Sequence, residues 1–261
     1  MTEQGVPMGS QSIIRALNLL KSLELGEASL DELATRIKLN KSTTHRIMKA
    51  LISEGLVDQD PATHKYYLSY EVLKLSVAAK QQICFHRQAN PVLYRLAEQT
   101  NETVHLSILA GDQVICIDKV ESSQPVRVFT EIGTAGPLYC TGSGKCLMAF
   151  LPEKEVDRLL RRIEFKAYTR NTITNPDDLR RELTKIRDSG VAYDLEEHQE
   201  GVMCVAAPVY NYAGDVIAAI SLALPSMRTA KEDLSGYAPL VLKAAKELST
   251  VSLLRINRNG I

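Results

Sequence analysis

The order of short periodic segments between residues 12 and 68 constrains this chain more than any other feature. From Ser12 onward, Ile13, Ile14, Leu17, Leu20 and Leu23 recur at helical spacing, which predicts an amphipathic helix ending near Gly26. Ser29 followed by Glu32 is a capping box, in which the hydroxyl and the carboxylate satisfy each other's free backbone amides, so a short helix is expected over Leu30 to Ile37. Leu39-Asn40 breaks the pattern, and a third helix is expected from Lys41 through Ile47, Met48, Leu51 and Ile52, ending at Gly55 in a left-handed position. Leu56 to Gln59 and Lys65 to Leu68 flank the turn formers Asp60-Pro61-Ala62-Thr63 and read as a two-stranded hairpin. Three short helices with a tight turn between the second and third, followed by a hairpin, is the order of a winged helix-turn-helix. It is expected over residues 10–69, behind a loose tail at residues 1–9 that carries Gly5, Pro7 and Gly9.

The charge pattern agrees with a surface that meets nucleic acid. Formal net charge is +0, but no acidic residue lies between Glu32 and Glu54, a window that holds Arg36, Lys38, Lys41, His45, Arg46 and Lys49. In such a motif the N-terminal residues of the third helix enter the major groove. Lys41, Ser42, Thr43, Thr44, His45, Arg46 and Lys49 supply its polar face. Arg46, with Thr44 or His45, is expected to read base edges, because guanidinium pairs bidentately with guanine. Lys41, Lys49 and Lys65, with Ser12 on the first helix, are expected to contact the DNA backbone. The alternative for each residue is a solvated polar position.

Beyond Ser69 the pattern changes. A connector helix is expected within residues 70–88, and Asn90 as N-cap with Pro91 at the first helical position opens another helix to Thr100. Residues 89–257 then read as a second domain. Strands are expected at Glu102 to Leu109, Gln113 to Val120, Val126 to Thr130, Val202 to Tyr210 and Asp215 to Leu224. Helices are expected at Gly142 to Phe150, Glu153 to Ile163, Pro176 to Ser189 and about Ala230 to Arg255. Strands in runs with helices between them indicate an α+β domain with a largely antiparallel sheet. With 45% hydrophobic residues and apolar runs far short of the roughly 20 residues that span a bilayer, no membrane segment is expected. The first residues lack a basic start and an apolar h-region, so no secretory leader is expected either. Cys84, Cys116, Cys140, Cys146 and Cys204 form no C-x-x-C pair, which suggests reduced thiols in a cytoplasmic protein and no zinc ribbon.

Alternation in the last strand puts Val216, Ala218, Ile220, Leu222 and Leu224 on one face and the smaller Ile217, Ala219, Ser221 and Ala223 set on the other. Cys204, Ala206 and Pro208 share a modest face of the preceding strand. Either a ligand cavity or close packing against a helix would explain small residues there. In Pro137 to Lys145, Thr141 can cap a helix whose first amides, from Gly142, Ser143 and Gly144, would attract an anion. Tyr139 and Cys146 occupy positions that a nucleotide-binding Gly-rich loop would not tolerate, so no cofactor is expected. Asp194, Glu196, Glu197, His198 and Glu200 lack metal-ligand spacing and read as a solvated turn with one or two structural carboxylates. Cys204 with His198 or His105 as base would make a nucleophile, and Cys140 with Cys146 a redox pair. No elbow-type motif surrounds Cys204, whereas the placement of Cys140 and Cys146 on a loop and a helix start leaves pairing open.

Three segments carry a resemblance: Leu39-Asn40-Lys41-Ser42-Thr43-Thr44-His45-Arg46, Pro137 to Lys145, and above all Gly190 to Val209. Over nearly its whole length the chain resembles the IclR-type bacterial transcription regulators. The resemblance implies a GAF-like effector domain with a curved sheet, and a small carboxylate, either a sugar acid or a keto acid, held by Gly142, Ser143, Asp194, Cys204 and Ser221. Ala223 departs from a second serine of the family pattern. The segments Glu102 to Leu106 and Pro137 to Tyr139 are closer to sugar-acid-responsive members. Homodimers, associating as a dimer of dimers on palindromic operator DNA, and repression of a catabolic operon are implied in the same way.

Overall fold

The computed structural model describes residues 11–82 and 85–256, so the tail expected at residues 1–9 lies outside the described residues. The chain divides into two compact units, residues 1–83 and 84–261.

In the first unit, α1 (Gln11–Ser22) runs into a 3-10 turn at Leu23–Leu25, followed by α2 (Leu30–Arg36) and α3 (Lys41–Ser53). The capping box forms: the Ser29 amide donates to Glu32 Oε2 at 2.7 Å, and the Glu32 amide donates to Ser29 Oγ at 3.4 Å. Asn40 caps α3 by accepting from the Thr43 amide at 2.8 Å, and Gly55, with φ +70°, ends it in the left-handed region. The hairpin β1 (Val57–Gln59) and β2 (Tyr66–Leu68) turns on Asp60, whose carboxylate accepts from the amides of Ala62 and Thr63. Ala28 exchanges two backbone hydrogen bonds with Tyr66 and so extends this small sheet. Leu19, Leu23, Leu33, Ile47, Met48, Leu51, Val57 and Tyr66 form the shared core. α4 (Tyr70–Gln82) follows.

The second unit is a six-stranded antiparallel sheet of order β5-β4-β3-β8-β7-β6. It is built from β3 (Thr103–Ala110), β4 (Gln113–Val120), β5 (Ala135–Pro137), β6 (Ala192–Leu195), β7 (Val202–Tyr210) and β8 (Val216–Pro225). One face packs on α5 (Phe85–Thr100) and α9 (Leu234–Ile256) through Val104, Leu106, Val205, Ala207, Ile220 and Leu222. The other carries α6 (Gly142–Ala149), α7 (Glu153–Leu160) and α8 (Pro176–Ser189) over Ala192, Ala206 and Ala219. The unit is α+β, as expected, and the small faces of β7 and β8 are the ones turned toward α6.

Four local expectations are corrected. α5 starts at Phe85 and not at Asn90, with Pro91 inside it; the lost amide bond there is offset by burial of Ala89, Val92, Leu93 and Leu96. Val126 to Thr130 is not a strand. Its carbonyls are met by side chains instead, Arg228 donating to Val126 O at 2.6 Å and Thr103 to Val128 O at 3.3 Å. Ala135–Pro137 and Ala192–Leu195 form the two edge strands that alternation did not reveal. In β8, Val209 pairs with Ala218 and Tyr210 with Val216, so Ile217 is an inserted residue. That bulge reverses the parity, and Ile217 joins the bulky face while Val216 packs on the α6 side.

Candidate functional site

Two surfaces bring together the polar residues singled out from sequence. On α3, Lys41, Ser42, His45, Arg46 and Lys49 are exposed and Thr43 is half-buried. Ser42, His45, Arg46 and Lys49 stand at helical i, i+3, i+4 and i+7, so they form one stripe. Thr44 does not belong to it: the residue is 0% exposed, and its hydroxyl donates to Asn40 O at 3.0 Å. It continues the buried stripe of Ile47, Met48 and Leu51 and is removed from the base-reading set. Lys41 pairs with Asp31 at 2.8 Å and Lys65 with Glu27 at 2.9 Å. Exposed pairs of this kind are worth at most about 1 kcal/mol, so a phosphate can displace either carboxylate. Arg36 is committed elsewhere, donating to Ser22 O at the C-terminal end of α1 at 2.8 Å. Ser12 is exposed on α1.

The second surface is a cavity of about 440 Å³ between the start of α6 and the sheet. Gly142, Ser143, Asp194, Cys204 and Ser221 all line it, together with Ala223, His105, His198 and the loop residues Val128 to Glu131. Thr141 caps α6, accepting from the Gly144 amide at 3.1 Å and donating to Pro137 O at 2.8 Å. Packing explains both glycines. A Cβ on Gly142 would lie 3.1 Å from Cys204 Cβ, and one on Gly144 would lie 2.5 Å from Thr141 Oγ1 and 2.7 Å from the Leu138 backbone. The first turn of α6 therefore sits directly on β6 and β7. Ser143 Oγ donates to Ser221 Oγ at 3.0 Å, which ties that turn to β8.

The polar stretch from Asp194 to Glu200 carries two buried structural carboxylates, as expected, with Glu196 and His198 half-buried and Gln199 and Glu200 exposed. Asp194 is 3% exposed and Glu197 6%. The Glu197 amide donates to Asp194 Oδ1 at 2.7 Å, while the Glu197 carboxylate accepts from the fully buried Lys145 of α6. Hydroxyls fix the backbone of the turn: Thr169 donates to Glu196 O and Thr172 to Glu197 O, each at 2.6 Å. Sequence reasoning had no signal for the Lys145–Glu197 pair, since its members lie far apart in the chain. Burial pushes the Asp194 carboxyl up to about 7, with the Glu197 charge adding to the rise and the Glu197 amide opposing it.

No lysine or arginine is among the residues lining the cavity. An anion there would meet α6 amides, hydroxyls and a half-protonated carboxyl. The thiols of Cys140, Cys146 and Cys204 are held in the neutral form, which disfavours attack and oxidation. Burial raises Cys204 well above the usual thiol range and Cys140 to about 12, and Cys146 is wholly buried and also raised. A nucleophile or redox centre needs an accessible thiolate. Among the described residues no grouping of His, Cys, Asp and Glu could hold a metal, and no helix is long and apolar enough to cross a membrane.

Family models match both regions of the chain. The model of the IclR helix-turn-helix domain matches residues 12–61, and that of the bacterial transcriptional regulator IclR C-terminal region matches residues 77–250. The HTH-type transcriptional regulator KdgR of Escherichia coli (strain K12) is 33% identical over 244 residues, covering 93% of both chains. The transcriptional repressor IclR of the same organism is 31% identical over 243 residues, covering 92% of this chain and 89% of the relative. An IclR transcriptional regulator from Alicyclobacillus acidocaldarius matches in structure with a TM-score of 0.83 and 29% identity, over 95% of this chain and 100% of that one.

Proposed function

The chain belongs to the IclR family of bacterial DNA-binding transcriptional regulators, and from that premise we propose that it represses a catabolic operon until a small carboxylate enters the cavity beneath α6. It is a regulator and not an enzyme. The observation that carries the effector reading is the cavity itself, in which the first amides of α6, Ser143, Ser221 and the raised carboxyl of Asp194 converge. Helix-start amides favour an anion, and a protonated Asp194 donates to one. A sugar acid or a keto acid meets these requirements. Residues 10–69 read the operator, residues 70–88 connect, and residues 89–257 respond to the effector.

Exposed apolar surface in the first unit supports self-association. Ile13 is 62% exposed and Leu17 50% on α1, while Leu73 and Leu75 are each 60% exposed on α4. Paired chains would present two α3 helices to a palindromic operator in the cytoplasm, and further association would give a dimer of dimers. The effector needs to favour one arrangement by only about 1–3 kcal/mol to act as a switch.

A thermal-shift screen against sugar acids and keto acids, followed by operator gel shifts with each hit, tests the reading. An acid that raises the melting temperature and releases the operator supports it. Failure of every acid to bind refutes the effector class, and a fall in target transcription on deleting the gene refutes repression.

A further inference from the structure

We propose that His105 selects among carboxylates, its imidazole Nε2 engaging a hydroxyl of a hydroxylated monocarboxylic acid whose carboxylate rests on the first turn of α6. This rests on the effector reading above and adds to it the side chain that discriminates.

Three observations converge on His105. It is 7% exposed, and its Nε2 is buried without a hydrogen-bond partner. Buried polar atoms are rarely left unpaired, and those that are call for a partner supplied from elsewhere. The residue also lines the effector cavity. Finally, its place in the sheet continues the polar tract that begins at α6. Ser143 donates to Ser221, and Ser221 on β8 is the direct cross-strand neighbour of His105 on β3. Adjacent strands lie about 4.8 Å apart, so His105 stands one strand farther from α6 than Ser221 does. A two- or three-carbon acid seated on α6 ends short of it, whereas a five- or six-carbon acid reaches.

The chemistry around His105 favours a hydroxyl over a second carboxylate. Burial and the nearby Lys119 charge hold the imidazole down to about 4, so it is neutral at physiological pH and has one donor and one acceptor nitrogen. A hydroxyl complements either tautomer. A second carboxylate would find no free cation: Lys119 is paired with Glu121 at 2.6 Å and lies 4.8 Å over the Phe129 ring, and Glu131 already brings a carboxylate to the cavity lining. Ala223, two residues beyond Ser221 on the same wall, offers no hydroxyl, and His105 is the lining residue whose buried nitrogen has no partner.

Calorimetric titration of the full chain with aldonic acids of five and six carbons, hexanoate, adipate and pyruvate tests the assignment, using wild type, His105→Leu and His105→Gln. An aldonic acid should bind wild type about tenfold or more tighter than hexanoate or adipate. His105→Leu should lose about tenfold for that acid alone, with hexanoate unchanged or tighter, and His105→Gln should recover part of the loss. The ligand-free melting temperature of His105→Leu should be at or above that of wild type, which separates the effect from misfolding. Equal loss for hydroxylated and plain acids, unchanged aldonate binding, or a wild type that prefers hexanoate or adipate overturns the role of His105 while leaving a carboxylate effector standing. No binding of any acid to wild type overturns both.

Discussion

Replacing Asp194 by asparagine isolates the electrostatic cost built into the cavity. The side chain keeps its shape and its acceptor for the Glu197 amide, which now lies 2.7 Å from Oδ1, but loses its titration. In the wild type, burial raises this carboxyl from 3.8 to about 7. The folded chain therefore holds a proton that the unfolded chain has already released, and stability falls as pH rises from the unfolded value toward 7. At ~1.4 kcal/mol per pH unit the cost has a ceiling of about 4 kcal/mol above pH 7. The stability difference between Asp194→Asn and wild type should widen by about 2–3 kcal/mol between pH 5 and pH 8 and level off beyond. Urea titrations read by hydrogen exchange in the β6 and β7 peptides report on this unit alone. A difference that stays flat with pH, or one that narrows as pH rises, would show that Asp194 is solvated in the folded protein and would refute the reasoning. The same proton bears on ligand binding: above pH 7 a carboxylate effector must bring a proton with it, so its affinity should weaken about fivefold from pH 7 to pH 8 in wild type and much less in the variant.

The remaining predictions concern the helix start and the reading face. Gly144→Ala places a Cβ 2.7 Å from the Leu138 backbone, where relief requires main-chain movement, and should cost about 3 kcal/mol or more, visible as a drop in melting temperature. Thr44→Val should leave operator preference unchanged and alter stability by about 1 kcal/mol, because the hydroxyl serves Asn40 O inside the domain; a change in base preference by selection from random DNA would contradict its burial. Arg46→Ala should cost about 1–3 kcal/mol and relax preference at one base, whereas Lys49→Ala should weaken all sequences alike and reduce the salt dependence of binding. Equal losses on every sequence for both variants would remove Arg46 from the base-reading role.

How much of this was readable in advance depends on how local each signal is. The helix-turn-helix and its caps depend on residues three or four apart, and Ser29, Glu32, Asn40 and Gly55 act as their types require. Thr44 was misread by its polarity, although its spacing to Ile47, Met48 and Leu51 already placed it on the apolar stripe. The faces of β7 and β8 followed from alternation until the Ile217 bulge, which no composition signal marks. β6 is only four residues long and half polar, so its pairing with β7 is set by the sheet and not by its own pattern. The buried Lys145–Glu197 contact spans two elements with α7 and α8 between them, and nothing near either residue announces it.

That last contact explains the character of the cavity. Lys145 is fully buried on α6, and its ammonium is held by Glu197, with Glu182 at 3.6 Å. Burial, with the Glu197 charge beside it, outweighs the Glu197 and His198 amides and the attraction of Lys145, which is why the Asp194 carboxyl keeps a proton near neutrality. An anion entering the cavity meets helix amides, two serine hydroxyls, a shared proton and a neutral imidazole, with no fixed positive charge. Each of these contacts is worth about 0.5–1.5 kcal/mol when paired, so affinity comes from several modest interactions that must be made together. A fixed cation would bind any small acid. This arrangement instead rewards the acid whose oxygens match the spacing from α6 through Ser221 to His105, and removing one contact should shift selectivity before it abolishes binding.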